Sequence, residues 1–70
     1  MKTYIKHTKD KDGRGITLHW TDGAGTGKTP VDLSKIRSMG RRGMDDALRS
    51  LTDFTEFSRE RIRGVIGLYV

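Results

Sequence analysis

Seventy residues, with 14 Lys and Arg against nine Asp and Glu, no cysteine and a pI near 10.0, describe one small basic domain. Such a chain buries only about 60% of the surface its unfolded form exposes. It has no room for a second domain, no disulfide framework and no stretch approaching the roughly 20 apolar residues that span a bilayer. No apolar run follows the first residues, so neither a secretory leader nor an anchor is expected, and the cytoplasm is the expected compartment. The charge is also segregated. Residues 1–20 carry five positive and two negative groups, residues 31–43 four and one, residues 44–58 one and four, and residues 59–63 three and one. Basic blocks separated by an acidic one point to a polyanionic or acidic partner.

Residues 3–9 and 15–21 flank Asp12-Gly13, a dipeptide suited to a tight hairpin turn, and predict two antiparallel strands. A two-residue turn sets Ile5 opposite Trp20 and His7 opposite Leu18. Alternation then buries Ile16, Leu18 and Trp20 and turns Tyr4, Lys6, Thr17 and His19 outward. A longer loop over Lys11–Arg14 would slip that register. Lys2, Lys6, Lys9, Lys11 and Arg14 line the hairpin, a shape that fits a major groove or lies along phosphates, and the outward Tyr4 is the candidate for stacking on a base.

Residues 22–29 are glycine-rich and read as a loop. Thr29-Pro30 then opens a short helix as cap and first residue, with Val31, Leu33 and Ile36 as its apolar stripe and Gly40 as its stop. Arg41 and Arg42 fall in a connector. From Met44 the apolar positions 44, 47, 48, 51 and 54 have helical spacing, and Asp45 and Asp46 suit the helix start. Two continuations are open. In one, the helix runs on to Arg63 and residues 65–70 form a third strand that consolidates the hairpin. In the other, the chain turns near Glu56, Ser58 caps a new helix, and Ile62, Val65, Ile66 and Tyr69 form its buried stripe. The strand is favoured, because Gly64 and Gly67 weaken a helix. The expected core is Ile5, Ile16, Leu18, Trp20, Leu33, Ile36, Leu48, Leu51, Phe54, Phe57, Ile62, Val65, Ile66 and Leu68.

Asp22-Gly23-Ala24-Gly25-Thr26-Gly27-Lys28-Thr29 resembles a phosphate-binding P-loop. That motif's nucleotide hydrolysis needs a multistranded parallel sheet, which 70 residues cannot build. A smaller role is an anion nest in which the loop amides and Lys28 hold a nucleic-acid phosphate. Phe57-Ser58-Arg59-Glu60-Arg61-Ile62-Arg63 is similar to the recognition helix in the promoter-reading C-terminal helix-turn-helix of primary sigma factors. The resemblance implies that Leu51 is buried on the first helix, that Phe57, Ile62 and Val65 are buried on the second, and that Arg59, Glu60 and Arg63 face bases and phosphates. His7 and His19 pair across the hairpin only in a slipped register, and two imidazoles without further ligands do not make a zinc site. No nucleophile elbow or carboxylate dyad is present.

The expectation is therefore a single α+β domain, residues 1–70, of N-terminal β-hairpin, short helix, long amphipathic helix and C-terminal third strand or third helix. Its expected function is non-enzymatic nucleic-acid binding of a transcription-regulating kind, with no cofactor or metal. The expected contacts are Lys6, Lys9, Lys11, Arg14, Lys28, Arg41, Arg42, Arg59 and Arg63, provided that the hairpin and connector cations converge on one side. The alternative is a small inhibitor or adaptor that docks on an acidic surface of a larger enzyme or transcription complex.

Overall fold

The alternation between residues 3 and 21 is realised as β1 (Thr3–Lys9) and β2 (Gly15–Thr21), paired antiparallel, in a computed structural model that describes residues 1–70. The intervening loop is longer than a two-residue turn. Asp10 and Gly15 close it through the Asp10 amide and the Gly15 carbonyl at 3.0 Å, and Gly13 takes the positive φ of 71°. The expected pairing of His7 with Leu18 holds, but that of Ile5 with Trp20 does not. A β-bulge after Tyr4 gives Trp20 to Tyr4 and leaves Ile5 without a partner. The bulge reverses two expectations at once: Tyr4 is buried and is no stacking platform, and Ile5 is 47% exposed.

The third strand is not at the C-terminus. It is β3 (Thr26–Asp32), antiparallel to β2, which makes a sheet of order β1-β2-β3. The glycine-rich stretch is thus mostly strand, and Thr29-Pro30 opens no helix. Pro30 is tolerated because β3 is an edge strand, where a missing N–H costs no ladder bond on the unpaired side. Gly27 has a steric reason to be there: a Cβ at this position would stand 2.3 Å from the Trp20 ring, which lies across the strand with its Nε1 donating to Thr29 Oγ1 at 2.9 Å.

Three helices follow: α1 (Leu33–Met39), α2 (Arg41–Arg49) and α3 (Glu56–Gly67). Asp32 caps α1 by accepting from the Ser34 amide at 2.9 Å. Gly40, at φ 61°, is the whole connection between α1 and α2, so Arg41 and Arg42 begin a helix instead of lying in a connector. The two helices meet closely at Gly43, where a Cβ would lie 2.9 Å from the Ile36 Cα. The long helix from Met44 to Arg63 does not form. Residues 50–55 leave it to bury Leu51 and Phe54 and to bond with the chain start, Lys2 donating to the Asp53 carbonyl at 2.7 Å and Thr55 to that of Lys2 at 2.9 Å.

Thr55, not Ser58, then caps α3, its hydroxyl accepting from the Ser58 amide. The C-terminal segment is therefore helix. With β3 already consolidating the hairpin, no third strand is needed from the C-terminus, and α3 packs along the free edge of β1. There the buried Tyr4 amide donates to Ser58 Oγ at 2.9 Å.

The core lies between the inner sheet face, with Tyr4, Ile16, Leu18 and Val31, and the helical layer, with Leu33, Ile36, Leu48, Leu51, Phe54, Ile62 and Ile66. Trp20 and Val65 pack at its margin. Phe57 and Leu68, expected inside, are 73% and 77% exposed. Tyr69 closes one end: its hydroxyl meets His7 Nε2 at 2.9 Å, while His7 Nδ1 meets the Tyr4 hydroxyl at 3.0 Å. The Arg37 guanidinium donates to the carbonyls of Tyr69 and Gly13, joining α1 to the hairpin loop and the chain end.

Candidate nucleic-acid interface

Helices cover one face of the sheet only, so strand alternation displays the other to solvent. Three rows of cross-strand partners make up that open face. The middle row is Lys6, His19 and Lys28, one residue from each strand. Thr3, Thr21 and Thr26 form the row on one side, and Thr8, Thr17 and Pro30 the row on the other. None of these nine residues is acidic. Neither lysine has a carboxylate within ion-pair distance. The bulge adds Ile5, which lines a shallow cleft of about 530 Å³ with Lys6, His19, Thr26 and Lys28, and with Trp20 and Gly27 at its border.

His19 occupies the centre. Its Nε2 lies 3.2 Å from Thr8 Oγ1. Partial loss of hydration and then the ammonium groups of Lys6 and Lys28 hold its pKa below that of an ordinary imidazole. The two lysines thus act on the same point and on each other, an arrangement that a negatively charged ligand relieves. Carboxylates stand at the ends of this face: at the hairpin loop Thr17 donates to Asp10 at 3.3 Å and Asp32 pairs with Gly15, and Asp22 lies in the β2–β3 turn.

The nine cations expected at the interface divide into groups. Lys6 and Lys28 flank His19 on the open face. Lys9 ends β1, and Lys11 and Arg14 follow in the exposed hairpin loop at one end of the sheet. Arg41 and Arg42 are exposed in the first turn of α2, within the helical layer. Arg59 and Arg63 belong to α3 in that same layer. Arg59 donates to the Phe54 carbonyl at 3.3 Å, and Arg63 stands 3.9 Å from Asp45 on α2. Lys6 and Lys28 thus stand on the open face of the sheet, and Arg41, Arg42, Arg59 and Arg63 on the helical layer.

Residues 57–63 are helical, with Ile62 buried, Val65 half-buried and Phe57 exposed; Leu51 is buried from the 50–55 segment and not from α2. Nor does the glycine-rich stretch form an anion nest. The amides of Ala24 and Gly25 donate to Asp22 Oδ1 at 2.9 and 3.0 Å, which holds that carboxyl below the usual range and occupies the donors a phosphate would need. Lys28 is in a strand, away from any helix N-terminus. His7 and His19 face opposite sides of the sheet, so they do not pair.

The residues that sequence reasoning passed over are His19, read as an ordinary strand position, and Ile5, assigned to the core. The parity of β2 already placed His19 outward; what was missing was the third strand that sets Lys28 beside it. No helix is long and apolar enough to cross a membrane. Compared with protein-family models, curated proteins and solved structures, the chain has no significant match.

Proposed function

We propose that the protein is a non-enzymatic nucleic-acid-binding module whose contact surface is the open face of the sheet. The observation that carries this reading is the Lys6–His19–Lys28 row, in which two unneutralised ammonium groups on the outer strands flank an imidazole whose charging they oppose. Two ammonium groups separated by two interstrand steps, roughly 10 Å of backbone, suit phosphates on either side of a strand or groove. Lys11 and Arg14 add positive charge in the hairpin loop at one end of the sheet, among Asp10 and Asp12, and Lys9 pairs with the inward Ile16. The reading assigns a lesser part to Arg41, Arg42, Arg59 and Arg63, which project from the helical layer.

The test is equilibrium binding of a fluorescent oligonucleotide as a function of salt. Affinity falls steeply with salt, and Lys6→Ala and Lys28→Ala each reduce the log–log slope by about 1. Arg42→Ala leaves it nearly unchanged. Binding that is flat between low and physiological salt, or a slope carried by Arg41 and Arg42 and indifferent to Lys6 and Lys28, overturns the assignment.

A further inference from the structure

Resting on that reading, the composition and width of the open face select one kind of nucleic acid. Proteins that grip single strands stack successive bases on aromatic rings. The rings of this chain are placed elsewhere. Tyr4 and Phe54 are in the core, Trp20 lies over Gly27 on the inner side with the Lys2 ammonium 4.2 Å from its centroid, Tyr69 packs edge-on against His7, and Phe57 is on α3. His19 is the one ring whose strand position faces the open side; Trp20 borders the cleft but its ring lies across Gly27 and is tied to Thr29, so the two make no platform for a run of bases.

Duplexes differ in what they admit. Outer strands about 10 Å apart, backbone to backbone, are too broad for the roughly 6 Å minor groove of B-form DNA, whereas its roughly 12 Å major groove admits β-structure and lets the central strand approach while the outer strands meet the flanking backbones. The major groove of an A-form RNA helix is deep and narrow, closed to side chains on such a surface. The chemistry of the rows agrees with this geometry. Lysines stand on the outer strands, where the two sugar-phosphate backbones would run, and Thr17, His19 and Thr21 stand on the central strand, over the base edges. The Thr17 and Thr21 hydroxyl protons are given to Asp10 and to the Gly25 carbonyl, which leaves their oxygens as acceptors, and the threonine methyls and the Ile5 side chain suit the 5-methyl group of thymine.

We infer that the open face docks in the major groove of B-form duplex DNA, with β2 over the base edges and β1 and β3 along the flanking backbones. The unmodified protein is titrated at one salt concentration with four probes of the same sequence, about 20 residues long so as to exceed one footprint. They are a DNA duplex, the RNA duplex, the single DNA strand, and a DNA duplex whose cytosines carry glucosylated 5-hydroxymethyl groups, which fill the major groove and leave the phosphates in place.

The DNA duplex is expected to bind on the order of tenfold tighter than each of the other three, the scale of about one good base-edge contact. Thr26→Glu, at an exposed position on β3 in the row of Thr3 and Thr21, is expected to lose on the order of tenfold in duplex affinity while the melting temperature stays near that of the parent. Equal affinity for the RNA duplex, the single strand or the glucosylated duplex overturns the groove assignment and leaves nucleic-acid binding standing. Failure to bind any of the four, with capture of an acidic protein instead, overturns both.

Discussion

Ser58→Ala removes one oxygen from the place where α3 meets β1, and its cost follows from what that oxygen does. Ser58 is 1% exposed; its Oγ accepts the Tyr4 amide at 2.9 Å and the Thr55 hydroxyl at 2.8 Å. The alanine variant leaves the Tyr4 N–H buried, without an acceptor and without access to water, which costs about 1–3 kcal/mol. Domains of this size hold roughly 3–5 kcal/mol in total, so the loss is a large fraction. At about 4–8 °C of melting temperature per kcal/mol, the fall is at least 4 °C.

Thermal and urea unfolding followed by far-UV circular dichroism give the energy, and hydrogen exchange at Tyr4 gives the location. Thr55→Ala is the control. It removes the α3 cap, worth about 1 kcal/mol, but leaves Ser58 Oγ in place to accept from Tyr4. The Tyr4 amide should therefore exchange faster in Ser58→Ala and nearly at the parent rate in Thr55→Ala. A Ser58→Ala variant within about 0.5 kcal/mol of the parent, with unchanged Tyr4 exchange, refutes the reasoning.

Gly27→Ala places a methyl 2.3–2.8 Å from three atoms of the Trp20 ring, and the resulting overpacking should cost about 1–3 kcal/mol and shift the tryptophan emission; unchanged stability would refute the packing account. DNA affinity should rise as pH is lowered from about 7.5 to 5.5, because a polyanion favours the charged form of His19 and binding takes up a proton, and His19→Gln should flatten the profile. Two carboxylates contribute to the acid limb of stability. The hydrogen bond from Lys2 holds Asp53 low, and the Ala24 and Gly25 amides hold Asp22 low. Their contribution is present above the ordinary carboxylate pKa and is lost as pH falls through the depressed folded values. Urea melts of Asp53→Asn should accordingly show a shallower loss of stability than the parent below about pH 4.

The hairpin was legible because residues 3–9 and 15–21 alternate on either side of a turn dipeptide, and that pattern is local. The third strand was not. Gly27 and Pro30 signal loop and helix start by their own preferences, and only tertiary facts reverse the signal: the Trp20 ring needs a bare backbone opposite it, and an edge strand has no use for the proline's missing N–H. Once 26–32 supplies the strand that a two-stranded ribbon lacks, residues 56–67 are released to be a helix in spite of Gly64 and Gly67. For the candidate interface, Lys6 was picked out as a charge on the ribbon and Lys28 as the lysine of the glycine-rich, P-loop-like segment. Their meeting at His19 depends on the β2–β3 register.

The irregularity in β1 has a consequence for separating folding from recognition. Thr3, Tyr4, Lys6, His7, Thr8 and Lys9 all have partners on β2, and the ladder steps from Tyr4–Trp20 directly to Lys6–His19. Ile5 is in effect a supernumerary link. Excising it would join two neighbouring rungs that are already consecutive on the opposite strand, so the inner side chains would keep their places. What would vanish is an aliphatic knuckle beside the lysine–histidine row, a change felt first by whatever rests on that surface.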